Sequence, residues 1–322
     1  MIVVTGGAGF IGSAIVYYLN QISIKDIIVV DSLGLKDNWK NLTGLEFNDY
    51  LEKDEFLYNL LSGKIPGIQT IIHMGACSDT TEQDATFLIE NNFEYTKQLA
   101  KWSVNNNIRF IYASSAATYG DGSDRFDDDQ NNSIRFKPLN MYGYSKQLFD
   151  MWAIKQRIMN RIVGLKYFNV FGPNEYHKGE MRSLVLKAYI QLKETGKVKL
   201  FKSHRPDYTH GEQKRDFLYI KDAVKMTLYF LNNPQYTGLY NIGSGKARTW
   251  NDLVTAIFTA LDLEPNIEYI DMPSDIRSHY QYYTCANIDK LRSIGYSEKI
   301  ISLEDDIQDY VVNYLEKNKY LS

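Results

Sequence analysis

The chain has 322 residues, of which 44% are hydrophobic and 23% are charged. This composition is ordinary for a globular protein and excludes a disordered chain, a collagen-like repeat and a coiled-coil rod. The net charge of −3 gives no global positive field for nucleic acid, and two cysteines are too few for a disulfide framework or a zinc cluster.

The apolar runs are all well short of the roughly 20 residues that cross a bilayer. The first residues lead directly into glycines, without the charged region of a signal peptide. We therefore predict a cytoplasmic protein with neither a membrane nor a nucleic-acid partner.

The first half of the chain alternates between two hydrophobic patterns. Short runs rich in Val and Ile predict buried strands at residues 2–5, 27–31, 70–73, 109–113 and 162–168. Helical periodicity follows the first strand and returns at residues 82–105 and 142–159. Alternating strands and helices predict an α/β fold with a doubly wound parallel sheet of the Rossmann type.

Beyond Pro173 the pattern changes to helices joined by short strands and polar loops. Helices are predicted near residues 179–194, 221–232, 249–261 and 303–317. We predict a dinucleotide-binding domain at 1–170 and a smaller C-terminal α/β substrate domain at 171–322, with segments that can return to the first domain. The acidic run at 127–129 is typical of a solvated loop, and no metal site is predicted.

A glycine motif follows the first predicted strand, with Gly6, Gly9 and Gly12 opening a predicted helix. In such a motif the glycines allow a tight turn, close approach of a pyrophosphate and close helix–sheet packing. Asp31 ends the second strand, where a carboxylate can accept a hydrogen bond from an adenosine ribose hydroxyl. The carboxylate favours NAD, whereas Lys36 and other downstream lysines could favour NADP, so the residues leave this choice open.

A second motif is Tyr142-Gly143-Tyr144-Ser145-Lys146. Tyr142 and Lys146 are four residues apart and share one face of a helix, so the cation can stabilise the phenolate and make proton transfer feasible. Ser115 ends a predicted strand, and the carboxyl ends of parallel strands line the ligand crevice of such sheets.

Together these motifs resemble the extended short-chain dehydrogenase/reductase family, over essentially the whole chain. Within it the sequence is most similar to the ADP-L-glycero-D-manno-heptose 6-epimerases, through motifs at residues 75–78, 113–120, 142–146, 167–173, 177–179 and 214–217. The resemblance implies epimerisation at C6″ of an ADP-heptose by transient oxidation with a tightly bound NADP, or NAD, for lipopolysaccharide core precursors. It also implies a homo-oligomer.

The resemblance assigns proton transfer on the two faces of the reacting carbon to Tyr142 and Lys178. Ser115 would hydrogen-bond the reacting oxygen, and Lys146 would orient cofactor and phenolate. The alternative for Lys178 is a solvated lysine that contacts phosphate. For Arg215, whose planar fork suits a pyrophosphate, the alternative is a structural salt bridge with Asp216 or another acidic residue.

The same resemblance implies two sets of contacts. The cofactor contacts, besides the three glycines, are Phe10, Ile11, Asp31, Ser32, Lys36, Lys53, Met74, Gly75, Ala76, Cys77, Ser78, Asn91, Lys146, Val170 and Lys178. The substrate contacts are Ser115, Asn169, Glu180, Lys187, Phe201, Arg215 and Tyr280. The sequence departs from the family pattern at Asn38, Glu180, Lys187 and a longer loop at 203–213.

Three other functions share parts of this sequence pattern. A nucleotide-sugar 4,6-dehydratase is disfavoured because residues 116–118 read Ala-Ala-Thr where dehydratases carry an Asp-Glu pair. The spacing alone leaves a UDP-hexose 4-epimerase open, although that reaction does not require the Lys178 segment. A non-catalytic dinucleotide sensor would not need Tyr142 or Ser115.

Overall fold

The computed structural model describes residues 1–35, 37–277 and 280–322. Its strands in chain order are β1 (Ile2–Thr5), β2 (Ile27–Asp31), β3 (Asp49–Glu52), β4 (Thr70–His73), β5 (Arg109–Ser115), β6 (Val163–Tyr167), β7 (Asn169–Phe171), β8 (Val198–Phe201), β9 (Lys214–Tyr219), β10 (Gly238–Ile242), β11 (Ala247–Thr249) and β12 (Ile267–Ile270). Its α-helices are α1 (Phe10–Gln21), α2 (Lys53–Leu61), α3 (Ala85–Leu88), α4 (Tyr95–Asn105), α5 (Met141–Lys155), α6 (Leu184–Thr195), α7 (Ile220–Asn232), α8 (Trp250–Ala260), α9 (Ser274–Arg277), α10 (Asp289–Ser293) and α11 (Leu303–Asp309).

In the described part of the chain, seven strands form one parallel sheet in the order β3-β2-β1-β4-β5-β6-β10. The order reverses between β1 and β4, which creates the crevice where dinucleotides bind in doubly wound sheets. The predicted fold class is therefore confirmed. Strand β10 comes from the second half of the chain and pairs with β6 at the sheet edge.

Both faces of this sheet are covered by helices. Val4 and Val29 belong to an apolar cluster that includes side chains of α1, α7 and α8. Val3 and Val30 point the other way, into a cluster with α2, α4 and α5. Because alternate residues are buried on opposite faces, the strands appear in the sequence as continuous Val and Ile runs.

The second half of the chain adds two small sheets to the large one. Strand β9 pairs with β7 in parallel and with β11 in antiparallel orientation, while β12 pairs with β8. Strand β7 directly follows β6, so the sheet of β7, β9 and β11 is held close to the end of the central sheet.

Several element boundaries differ from the predictions for local reasons. The helix predicted near residue 179 begins at Leu184, because Gly179 has φ +55° inside a 3₁₀ turn and Ser183 caps the helix instead. The helix predicted to reach residue 159 ends at Lys155, shortly before Arg157 adopts φ +58°. Strand β3 was not predicted. It lies at the exposed edge of the sheet, so its sequence lacks the apolar pattern of a buried strand.

The acidic run at 127–129 also departs from the solvated loop that was predicted. Asp128 is buried and accepts a 2.8 Å hydrogen bond from the backbone N–H of Asn241, next to the amino group of Lys290. Burial raises the pKa of Asp128. Its role is to join the loop to β10.

Among the residues that the structure describes, no helix is both long and apolar enough to cross a membrane.

Candidate active site

The glycine motif forms a tight turn between β1 and α1. Gly6 has φ +65°, and a Cβ atom there would lie 2.6 Å from the backbone nitrogen of Gly75. A Cβ atom on Gly12 would lie 2.0 Å from the carbonyl oxygen of Gly6. Only glycine fits these two positions, and the close packing brings the amino end of α1 to the carboxyl end of the central sheet.

The amino end of α1 is open to an anion. Gly9 precedes the helix and has no side chain to cap it, and its first turn carries no acidic residue. The unpaired N–H groups and the helix dipole therefore favour a phosphate there. Beside this turn, the carboxylate of Asp31 accepts hydrogen bonds from the backbone N–H groups of Ala8 (2.8 Å) and Ser32 (2.7 Å). A carboxylate has further lone pairs, so Asp31 can also accept from a ribose hydroxyl.

The loop at 74–78, predicted to contact the cofactor, is fixed by one buried amide. The side chain of Asn92 accepts from the backbone N–H of Cys77 (2.8 Å), and its amide nitrogen donates to the Cys77 carbonyl (2.9 Å) and to Ser145 Oγ (3.0 Å). Asn92 thus joins the loop to α5. Asn92 was not predicted from the sequence, although an asparagine pair inside an apolar helical pattern is a signal of such a role.

Other predicted cofactor contacts come together in two groups. Lys53 Nζ donates to Asn91 Oδ1 at 2.8 Å. Ile11, Met74 and Val170 pack against one apolar cluster. The structure therefore brings together residues from two chain segments in the first group and from three in the second.

The start of α5 packs directly on the strand end that carries Ser115. Asn140 caps the helix by accepting from the backbone N–H of Gly143 (2.8 Å). A Cβ atom on Gly143 would lie 2.6 Å from the carbonyl oxygen of Ala117, so glycine is required for this approach. The contact places the side chain of Tyr142 beside Ser115, near enough for the serine hydroxyl to influence the pKa of the phenol.

Burial shifts the pKa values of Tyr142 and Lys146. Burial raises the pKa of Tyr142, and the hydrogen bond with Ser115 opposes that rise. Lys146 is 4% exposed and donates to the carbonyl oxygen of Ala113 at 3.0 Å. Burial lowers the pKa of Lys146 to about 8, which places its charge change close to physiological pH.

The segment that carries Lys178 is held against the glycine turn by Asn41. The amide nitrogen of Asn41 lies 2.9 Å from the carbonyl oxygen of Ala8, 3.1 Å from that of Asn174 and 3.2 Å from Nδ1 of His177. Residues far apart in the sequence therefore share one hydrogen-bond network. Asn41 was not predicted, because nothing local in the sequence reveals a contact across more than 130 residues.

Lys178 lies over the first residue of α1. Its Nζ atom is 5.6 Å from the ring centroid of Phe10, and its side chain is only partly exposed. Burial lowers the pKa of Lys178, while the nearby carboxylate of Glu175 opposes this shift. A larger neutral fraction than in an ordinary lysine is what a proton-transfer group requires.

Arg215 lies in an aromatic cluster in the second half of the chain. Its guanidinium carbon is 5.4 Å from the ring centroid of Trp250 and 5.3 Å from that of Tyr280. Arg215 is 8% exposed, and within the described residues it forms no ion pair. The carboxylate of Asp216 instead accepts from backbone N–H groups, so the alternative salt bridge between these neighbours does not form.

Two further predicted substrate contacts lie at the ends of strands β7 and β8. The amide nitrogen of Asn169, on β7, donates to the carbonyl oxygen of Asp216 at 3.1 Å. Phe201 ends β8, and its carbonyl oxygen accepts from Gln213 at 3.3 Å, just before β9 begins. Strand β9, which carries Arg215, pairs with β7 and begins directly after Gln213.

Glu180 and Lys187 pair with each other at the surface. Their oxygen and nitrogen atoms are 3.2 Å apart, and their side chains are 94% and 41% exposed. Such an exposed pair contributes little to stability. The contact of these two residues with substrate stays a prediction.

The chain is similar to named epimerases along almost its full length. The sequence profile of the NAD dependent epimerase/dehydratase family matches residues 2–243. An ADP-L-glycero-D-manno-heptose-6-epimerase of Nitratidesulfovibrio vulgaris strain DP4 is 54% identical over 316 residues, with 98% of each chain covered. One from Fusobacterium nucleatum is 49% identical over 327 residues, again with 98% of each covered.

Two solved structures have the same fold. The ADP-L-glycero-D-manno-heptose-6-epimerase of Helicobacter pylori superposes with a TM-score of 0.82 at 28% identity, covering 97% of this chain and 95% of that one. A UDP-N-acetylglucosamine 4-epimerase from Methanobrevibacter ruminantium also gives 0.82 at 24% identity, with 98% of each chain covered. At that identity the likeness concerns the fold alone.

Proposed function

Because the chain belongs to the NAD dependent epimerase/dehydratase family, we propose that it interconverts ADP-D-glycero-D-manno-heptose and ADP-L-glycero-D-manno-heptose. Relatives that carry this name at 49% and 54% identity support the substrate. The observation that carries the proposal is the partly buried amine of Lys178 over Phe10, which adds a second proton-transfer group to the Tyr142–Ser115 pair.

The C–H bond at C6″ is not acidic, so inversion there requires transient oxidation of the alcohol. Because the hydroxyl has opposite orientations in the two epimers, proton transfer is needed at both orientations. When one epimer is oxidised, Tyr142 accepts its hydroxyl proton while Ser115 holds that oxygen, and the ammonium of Lys178 donates a proton to the carbonyl oxygen as the other epimer forms. The reverse reaction exchanges these roles, and proton exchange with solvent restores both groups after turnover. Lys146, when protonated, stabilises the Tyr142 phenolate from one helical turn away.

The residues present fit a nicotinamide dinucleotide. The open amino end of α1 suits its pyrophosphate, and Asp31 and the 74–78 loop line the adjoining crevice. Such a group supplies a reversible hydride acceptor when bound.

The proposal also concerns whether the dinucleotide is NADP or NAD. The carboxylate of Asp31 favours a ribose hydroxyl over a phosphate. Asn38, where the family pattern has a lysine, is buried and neutral, and Lys40 pairs with Asp37 at 2.8 Å. Lys36 lies outside the described residues. These side chains favour NAD, and mass spectrometry of the nucleotide released on denaturation decides between the two.

The function is tested by incubating the purified protein with ADP-D-glycero-D-manno-heptose, without added reductant. We expect its L-glycero epimer to form, resolved by proton NMR at H6″, with no net change in the redox state of the cofactor. UDP-glucose serves as the comparison substrate. Turnover of UDP-glucose with none of the ADP-heptose would contradict the proposal and favour a UDP-hexose 4-epimerase.

Arg215→Lys is expected to raise KM for the ADP-heptose about tenfold, with a smaller effect on kcat. The reason is that a guanidinium can pair two pyrophosphate oxygens at once, whereas an ammonium is a point charge. Steady-state kinetics measure both constants. Arg292→Lys is the matched control, because the Arg292 guanidinium donates to the nearby carbonyl groups of Tyr296 and Glu298. An unchanged KM for Arg215→Lys would remove Arg215 from the substrate site.

A further inference from the structure

The carboxylate of Asp150 follows the Tyr142–Lys146 pair on the same helix and has no role in the mechanism described above. Asp150 on α5 is fully buried. Its oxygens accept hydrogen bonds from the Tyr112 hydroxyl (2.7 Å), the Ser114 hydroxyl (2.8 Å) and the ammonium of Lys166 (2.7 Å). Lys166 is only 1% exposed, so the ion pair is shielded from solvent.

This network is connected to the strand end that carries Ser115. Ser114 immediately precedes Ser115 on β5. Lys166 also donates to the hydroxyl of Thr118 (2.7 Å), which in turn donates to the carbonyl oxygen of Ser115 (2.8 Å). Asp150 therefore holds α5 against β5 and β6 at the level of the reacting groups.

Asp150 also lies one helical turn after Lys146, on the same face of α5. The ammonium of Lys146 donates to one carbonyl group, that of Ala113. Burial disfavours its charge, whereas the charge of Asp150 favours it. Another titratable neighbour, His73 on β4, is neutral because burial lowers its pKa to about 3.

Resting on the proposed function, we propose that Asp150 is a positioning residue whose buried charge, shared with Lys166, keeps Lys146 protonated and oriented toward Tyr142. Lys146 has to carry its proton to stabilise the phenolate. The opposing electrostatic effects of Asp150 and Lys166 on Lys146 then set the pH above which kcat/KM falls.

Two single substitutions with opposite expected signs test this. Asp150→Asn removes the negative charge, so the alkaline limb of kcat/KM is expected to move about one unit to lower pH. Lys166→Met removes the competing positive charge, so the same limb is expected to move to higher pH. A merely structural role predicts no such opposite shifts.

The double variant Asp150→Asn/Lys166→Met controls for folding. Each single change leaves a buried charge or hydrogen-bonding group without its partner and lowers the thermal midpoint. The double change removes both charges and is expected to regain stability, while its alkaline limb stays below that of the wild type. A double variant with both the stability and the pH profile of the wild type would overturn the proposal.

A second readout keeps this inference separate from the proposed function. In protein labelled with carbon-13 at lysine Cε, the Lys146 resonance, assigned with Lys146→Arg, reports its protonation by NMR without turnover. We expect its midpoint to fall in Asp150→Asn. If the wild type does not convert the ADP-heptose but this shift occurs, the proposed function fails and the assignment of Asp150 stands. An unshifted midpoint would overturn the assignment in either case.

Discussion

Tyr142→Phe is expected to lower kcat for epimerisation about 10²- to 10⁴-fold, the range typical of a lost general acid–base group. The substitution removes one hydroxyl and keeps the ring. Because that hydroxyl interacts with Ser115 at the end of β5, its loss removes proton transfer at one orientation of the alcohol. KM should change little, since Arg215 and its aromatic neighbours are proposed to bind a different part of the substrate.

The measurement is steady-state conversion of both epimers, with the thermal midpoint of each variant determined in parallel. Tyr144→Phe is the matched control, because Tyr144 lies on the same helix and is 42% exposed. A buried hydrogen bond contributes only about 1 kcal/mol, so Tyr142→Phe should remain folded. A Tyr142→Phe protein that epimerises at the wild-type rate would remove Tyr142 from the catalytic assignment.

Local sequence patterns predicted the parts of the fold whose cause is local. The Val and Ile runs of β1, β2 and β4 had the correct bounds, because strands buried on both faces carry a continuous apolar signal. The glycine turn was predicted because its spacing reflects steric requirements within a few residues. Edge strand β3 lacked such a signal and was missed.

The contacts that support the candidate site depend on tertiary structure instead. Asn41 meets the Lys178 segment across 133 residues, and Lys166 meets Asp150 from a different strand. A buried lysine and a buried aspartate look like surface residues in a sequence, since charged side chains are usually exposed. Only the packing of α5 on β5 and β6 reveals that they pair.

The second large effect is expected at Lys178, where the geometry allows two explanations to be separated. The amine lies 5.6 Å from the ring centroid of Phe10 at the amino end of α1, a position from which it can transfer a proton or contact a phosphate. Lys178→Met removes both capacities. Its kcat is expected to fall about 10²- to 10⁴-fold for either epimer as substrate, because a full cycle uses both proton-transfer groups.

Lys178→Arg then distinguishes the two roles. Arginine retains a positive charge that can contact phosphate and lie over an aromatic ring, but it stays protonated at any working pH and cannot accept a proton. If Lys178 transfers protons, the Arg variant is expected to be as inactive as the Met variant, with an ordinary KM. If Lys178 only contacts phosphate, the Arg variant keeps most of its activity while the Met variant shows a raised KM. Lys193→Met serves as the control, since Lys193 is a half-exposed lysine on α6 that pairs with Glu316. Burial lowers the pKa of Lys178, which increases its neutral fraction near pH 7 and favours the first outcome.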